Sequence, residues 1–249
     1  MRLFLLAAAI VLAAPSIAQA QPDDGKRIAQ FYSYRLTDRA RFESGYRAHL
    51  GWHARKGDRL VWYAWTVQSG PRRGQFIDAT AGASFADLDA RPDIAGDGAD
   101  FARTAAPHAE PVDVETWELW PEPSTATPLE DREPSRTVDA FLIRVDPGEE
   151  QAFERAIGMM AARKVPGLRV SWYRRLRGEQ VPAYMVLLAR DRWADLDRAG
   201  GTLSSLMAGA YGAQPAAIQP VLDSVASIDT ESWSYEPRLS LIPGTPLLP

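Results

Sequence analysis

Phe85-Ala86-Asp87-Leu88-Asp89 and Trp193-Ala194-Asp195-Leu196-Asp197 are nearly the same five residues written twice, 108 positions apart. Other landmarks repeat around them in the same order. Phe31 corresponds to Phe141, Phe42 to Phe153, Trp62-Tyr63 to Trp172-Tyr173, and Glu115-Thr116-Trp117 to Glu231-Ser232-Trp233, with offsets that stay between 108 and 116. Matches that hold one register over a whole chain indicate an internal repeat, which has to be recognised before any element is assigned.

Each half carries the same succession of patterns. Arg27 to Leu36 is aromatic and free of breakers, as expected of a strand. From Asp38 to Lys56 the chain is charged and amphipathic, and Phe42, Tyr46, His49, Leu50 and His53 fall at helical spacing on one face. Strands follow at Leu60 to Val67 and Gln75 to Thr80 around a turn at Ser69 to Gly74, then a broken helical region from Asp87 and a strand at Val112 to Leu119. The second half repeats this with Val138 to Val145, Glu149 to Lys164, Leu168 to Arg175, Ala183 to Ala189, helical segments between Trp193 and Ser224, and Ala226 to Ser234. The order is β-α-β-β-α-β twice, so the expected fold class is α+β, with two tandem ferredoxin-like domains. The recurring Asp87 and Asp195 are expected to be helix N-caps.

Outside the repeats, residues 1–20 have a basic start at Arg2, an apolar run from Leu3 to Ala14 and the small-residue site Ala18-Gln19-Ala20, the pattern of a secretory signal peptide. The mature chain then begins at Gln21, and a periplasmic or secreted location is expected. The domains are placed at 21–120 and 137–236, joined by a proline-rich linker at 121–136 and followed by an extended tail at 237–249. No cysteine is present, which excludes disulfides, thiolate metal sites and thiol nucleophiles. The formal charge of −4, with 28 basic and 32 acidic residues intermixed, argues against nucleic acid as a partner. No mature segment is long and apolar enough to span a bilayer. The oligomeric state is not legible.

Strands with aromatics at both parities, such as Phe31, Tyr32 and Tyr34 or Trp62, Tyr63 and Trp65, suggest that neither sheet face meets water. The two bare faces are expected to pack on each other as an intramolecular α+β barrel. In this duplicated order the sequence resembles the dimeric α+β barrel superfamily, with its NIPSNAP-like, EthD-like and antibiotic-biosynthesis-monooxygenase-like members, in a tandem-fused form. The resemblance covers nearly the whole mature chain and implies a fold. No catalytic motif of the superfamily matches residue by residue.

Few residues are candidates for chemistry. His49 and His53 lie one helical turn apart and can serve as an acid-base pair or touch a ligand; HLGWH lacks the Glu that a zinc peptidase helix needs, and without a visible third ligand no metal and no cofactor are expected. In the repeat, His49 lies opposite Met160 and His53 opposite Lys164, so the bland alternatives are a packed side chain and a cation at a helix end. His108 falls in a loop. Tyr34, Trp62, Tyr63, Arg144, Trp172 and Arg174 are the candidate ligand-binding residues, on the expectation that they line a cleft between the two sheets. Arg35, Asp78 and Arg175 also interrupt apolar strands, either at strand ends in water or turned toward an anion.

Three functions follow from these features. The first is an exported protein that binds a small apolar or aromatic ligand between its sheets, without chemistry. The second is a cofactor-independent enzyme, EthD-like or monooxygenase-like, with a His base. The third is a fully packed barrel that acts through its surface.

Overall fold

The computed structural model describes residues 25–248; the segment 1–20, expected to be a signal peptide, lies outside the described residues. The first half contributes β1 (Ile28–Leu36), α1 (Arg39–Lys56), β2 (Tyr63–Ser69), β3 (Phe76–Ala83), α2 (Phe85–Asp89), α3 (Ile94–Thr104) and β4 (Ala109–Trp120). The second contributes β5 (Thr137–Val145), α4 (Glu150–Ala161), β6 (Arg169–Arg177), β7 (Ala183–Arg190), α5 (Leu196–Ala199), α6 (Leu203–Tyr211), α7 (Pro215–Asp223) and β8 (Val225–Tyr235). Asp87 is not an N-cap, and Asp195 stands in the N-cap position of α5 without capping it through its side chain. Asp87 sits three residues into its helix and its carboxylate accepts from the Ser84 amide, while Asp195 does the same for the Arg192 amide.

All strand pairs are antiparallel, and the eight strands close in the order β1-β3-β2-β8-β5-β7-β6-β4. Within each half the order is the same, with the first strand of the half beside its third and fourth. The edge strands, which would otherwise expose unpaired backbone groups, are joined across the halves at β2 with β8 and at β6 with β4. Closure removes both free edges.

Alternation along the strands sorts the aromatics onto two sides. Phe31, Tyr63, Trp65, Trp117, Tyr173 and Trp233 point inward and fill the barrel, with Trp65 in ring contact with Phe31 at 6.2 Å and Trp233 at 5.9 Å. The opposite parity carries Trp62 and Phe76 under α1 and Trp172 and Tyr184 under the helices of the second half. The expected open cleft between the sheets is therefore replaced by a packed interior, because six large rings occupy it.

The segment 121–136, expected as a linker, plugs one end of the barrel. Leu129 packs into the interior, its carbonyl accepts from the Tyr63 hydroxyl at 2.6 Å, and the Glu130 carboxylate accepts from Tyr173 Oη at 3.0 Å. Beyond the other end of β2, Arg72 makes a two-pronged bond with buried Glu231, and Arg175 pairs with Glu115. The tail also has a place: Leu241 exchanges both backbone hydrogen bonds with Trp62, and Leu239 and Leu241 join the core beneath α1.

Helix α1 starts at Asp38, whose carboxylate accepts from the Arg41 amide, and buries the five residues that the periodicity picks out, Phe42, Tyr46, His49, Leu50 and His53. It packs against α3 so closely that a Cβ on Gly45 would fall inside the Thr104 carbonyl. Gly45→Ala should therefore cost about 1–3 kcal/mol from overpacking, measured by urea unfolding, whereas an unobstructed helical site would gain from the same change; a stabilised variant would contradict the close approach.

Burial pushes the Glu130 carboxyl up to about 7 from an ordinary 4.5, against the lowering effect of its backbone and Tyr173 hydrogen bonds. The folded protein thus holds this proton more tightly than the unfolded chain. Glu130's contribution is complete below about pH 4.5 and is lost as pH rises through about 7. The loss is on the order of 3 kcal/mol. Glu130→Gln should flatten the fall in unfolding free energy across that interval; an unchanged slope would show that Glu130 is not its source.

Candidate functional site

Two short pieces of local chemistry bring a cluster of imidazoles and carboxylates together under the first-half helices. At the end of α1, Gly57 takes a left-handed conformation, φ 69°, and its amide bonds back to the Ala54 carbonyl while the Asp58 amide bonds to that of His53. This reversal swings Asp58 back over the last turn, where its Oδ2 accepts from His53 Nδ1 at 2.7 Å and from Trp62 Nε1 at 3.0 Å, and its Oδ1 accepts from the Leu60 amide. At the start of α3, Asp93 caps the helix through the Gly96 amide and receives Lys56 Nζ at 2.8 Å, which ties the two helix ends together.

Asp97 and Asp100, three residues apart, then share the face of α3 that meets α1. His49 Nδ1 lies 2.9 Å from Asp100 Oδ2. His49 Nε2 lies 3.2 Å and His53 Nε2 3.3 Å from Asp97 Oδ1, and the two Nε2 atoms are 3.1 Å apart. Both imidazoles are buried. The Asp97 side chain remains 17% exposed and takes Arg91 on its outer oxygen at 3.4 Å.

The charges are strongly coupled. For Asp97, burial works against the anion, but the two imidazoles hold its carboxyl well below the usual carboxylate range. Asp58 is likewise lowered, with burial outweighed by His53, the Leu60 amide and Trp62. Burial alone would lower His53, yet its contacts with Asp58 and Asp97 raise it above an ordinary imidazole. Beneath them on β3, Asp78 is fully buried. Its Oδ2 accepts from the Tyr46 hydroxyl at 2.6 Å, its Oδ1 has no hydrogen-bond partner among the described residues, and burial pushes its carboxyl up to about 7 despite the opposing effects of Tyr46, His49 and His53.

A cleft of about 600 Å³ opens beside the cluster, lined by Asp58, Gly57 and Leu60, by Asp87 from α2, and by the basic side chains of Lys26, Arg59, Arg91 and Arg132. Of its two acids, Asp58 is engaged by His53 and Asp87 by Ser84. Four basic side chains against two carboxylates give the lining a surplus of positive charge, part of which Arg91 directs to Asp97.

Of the residues expected from the sequence, the structure brings His49, His53 and Trp62 into one site. Tyr34 packs on Phe42 and Phe101 on the same side of the sheet. Tyr63 is inside the barrel, and Trp172 lies under the second-half helices, where it donates to Tyr211. Arg174 stacks over Trp120 and pairs with Glu154, while Arg144 is half-buried, against Ser227 and Asp229. These do not converge. Arg35 is exposed beside Glu110, and His108 sits in a short turn whose carbonyl receives the Thr37 amide. Asp58, Asp97 and Asp100 were not singled out by sequence reasoning. Asp97 and Asp100 have a legible signal only in retrospect, as a second i, i+3 acidic face on a helix that follows the His helix. The expectation of no metal rested on a missing third ligand, and Asp97 supplies that donor.

No protein-family model matches the chain, and no curated protein matches it. Solved structures do. A candidate monooxygenase from Fusobacterium nucleatum subsp. nucleatum aligns with a TM-score of 0.54 at 10% identity, over 85% of this chain and 93% of the other. A candidate monooxygenase from Lactobacillus acidophilus aligns at 0.52 and 12%, over 83% and 93%. A variant chlorite dismutase from Candidatus Nitrospira defluvii aligns at 0.53 and 8%, over 85% and 92%. At these identities the likeness is one of fold, the α+β barrel with ferredoxin-like topology.

Asp58→Ala would strand the buried Nδ1–H of His53, the indole of Trp62 and the Leu60 amide. It should lower the unfolding free energy by about 3 kcal/mol, and a loss below about 1 kcal/mol would mean that these groups find water instead.

Proposed function

We propose that this chain is an exported small-molecule-binding protein, made of two fused ferredoxin-like units with a relation to the NIPSNAP-like and EthD-like members of the barrel superfamily, and that its ligand is a small organic anion. The location of the ligand differs from the sequence expectation. With the barrel interior filled, the reading rests on the cleft beside His53 and Asp58, where four basic side chains face two acids that are already engaged. Guanidinium groups suit carboxylate or phosphate recognition, and Arg91 joins the cleft to the buried cluster. Export is supported by the leader pattern at residues 1–20 and by a mature chain that needs no disulfide. Among the described residues no helix is long and apolar enough to cross a membrane. The duplicated landmarks and the same strand order in each half support the fused-unit reading.

A second reading, chemistry on that ligand, is favoured by one observation. His53 is oriented by Asp58 through Nδ1, the arrangement that fixes an imidazole for proton transfer at its other nitrogen.

The test is native mass spectrometry of the protein recovered from the periplasm of its own host. The account expects a mature mass beginning at Gln21 with a co-purifying anion. Arg59→Glu together with Arg91→Glu should weaken re-binding of that anion at least tenfold, read by tryptophan fluorescence. Unchanged re-binding by the charge-reversed variant would place the ligand elsewhere.

A further inference from the structure

The three atoms that face one another at the centre of the cluster, His49 Nε2, His53 Nε2 and Asp97 Oδ1, are all natural acceptors. Each imidazole has its Nδ1 turned to a carboxylate, Asp100 for His49 and Asp58 for His53. A carboxylate partner fixes the hydrogen on Nδ1 and leaves the lone pair on Nε2. Neutral imidazoles in this tautomer would set two lone pairs and a carboxylate oxygen at separations of 3.1, 3.2 and 3.3 Å with nothing to bridge them. Either a shared proton or a bound cation is needed to bridge them.

We infer that His49, His53 and Asp97 form a binding site for one divalent first-row transition metal ion, with Asp100 and Asp58 orienting the two imidazoles. The proposed metal site adjoins the proposed ligand cleft and does not depend on the ligand. Three observations carry it. First, the triangle has the size that such an ion requires. A point about 2.1 Å from each donor, an ordinary metal–nitrogen or metal–oxygen distance, lies about 1 Å from the plane of the three atoms, which leaves one side open for water or a ligand oxygen. Second, the donors come from two helices whose mutual position is fixed independently, by Gly45 against the Thr104 carbonyl and by Lys56 on the α3 cap. The triangle is therefore built rather than accidental.

Third, further carboxylates gather around the triangle. Asp58, Asp78, Asp97 and Asp100 crowd the site, and the facing cations are Arg91 and Arg103 beside the two imidazoles. Asp78, buried below them, keeps its Oδ1 without a hydrogen-bond partner among the described residues. Imidazole donors select zinc, iron, cobalt, nickel or copper over magnesium and calcium, and two imidazoles with one carboxylate leave coordination positions open.

The experiment uses the untagged mature protein, stripped with a chelator and dialysed. Zn²⁺ affinity is measured by competition with a chromophoric chelator, and Co²⁺ uptake by its visible absorption, both in buffer without added organic anions. The expected result is one equivalent bound per chain, a Co²⁺ spectrum of nitrogen and oxygen ligation, and Zn²⁺ affinity at least 100-fold weaker in His49→Gln, His53→Gln and Asp97→Asn. Asp100→Asn, which keeps a hydrogen-bonding partner for His49, should weaken binding about tenfold and keep the stoichiometry. A protein carrying Arg59→Glu and Arg132→Glu, changes in cleft cations away from Asp97, should lose the anion and still take up the ion, so the two losses are separate results. A wild-type protein that fails to bind a stoichiometric ion would overturn the inference, as would folded donor variants with unchanged affinity. The wild-type measurement decides the matter even where a variant fails to fold.

Discussion

The contact between α1 and α3 is the constraint on which the first half depends. It is unusual in being made of ionisable groups: two imidazoles from one helix against two carboxylates from the other, with Asp58 and Asp78 closing the cluster from the side and below. Charged groups removed from water are costly unless each finds a partner. Here the partners are specific, and they dictate geometry. Asp58 reaches His53 only because Gly57 turns the chain back, and Asp97 reaches both imidazoles only because Gly45 lets the helices approach.

The barrel supplies the rigid base. Each half offers a sheet with two free edges and a bare face, and joining β2 to β8 and β6 to β4 satisfies every edge at once. Trp65, Trp117, Tyr63, Tyr173, Phe31 and Trp233 then fill the interior, and the 121–136 segment seals an end through Leu129 and Glu130. A filled barrel has no room for a ligand within it. The His and Asp cluster lies in the outer layer, where the two halves differ. α1 carries His49 and His53, whereas the second-half helix α4 carries buried Met160 in the position of His49 and packs on an apolar cluster. One half retains an apolar helix layer and the other has gained a polar site.

Much of the scaffold was legible in the sequence. Phe85-Ala-Asp-Leu-Asp and its partner at Trp193, with the aromatic strands around them, lead to the α+β class and to the element order, and the five apolar or His positions on α1 are the five that are buried. The placement of the aromatics was not. Tyr63 faces inward and Trp62 outward, and one residue of phase decides the face of every side chain in a strand; composition carries no information about that phase. The site was half legible. A pair of His at i, i+4 is visible on a helical face, but Asp97 lies 44 residues beyond His53 and Asp58 needs a left-handed Gly57 to return, so both partners depend on tertiary structure.

The central claim is that the cluster of buried acids and imidazoles is organised around a cation. A crystal structure of the protein grown with Co²⁺, with diffraction recorded on both sides of the cobalt absorption edge, tests it most directly. The account predicts one anomalous peak roughly 2.1 Å from His49 Nε2, His53 Nε2 and Asp97 Oδ1, with Asp100 and Asp58 still on the Nδ1 atoms. No peak there, with His49 Nε2 and His53 Nε2 sharing a proton directly, would contradict it.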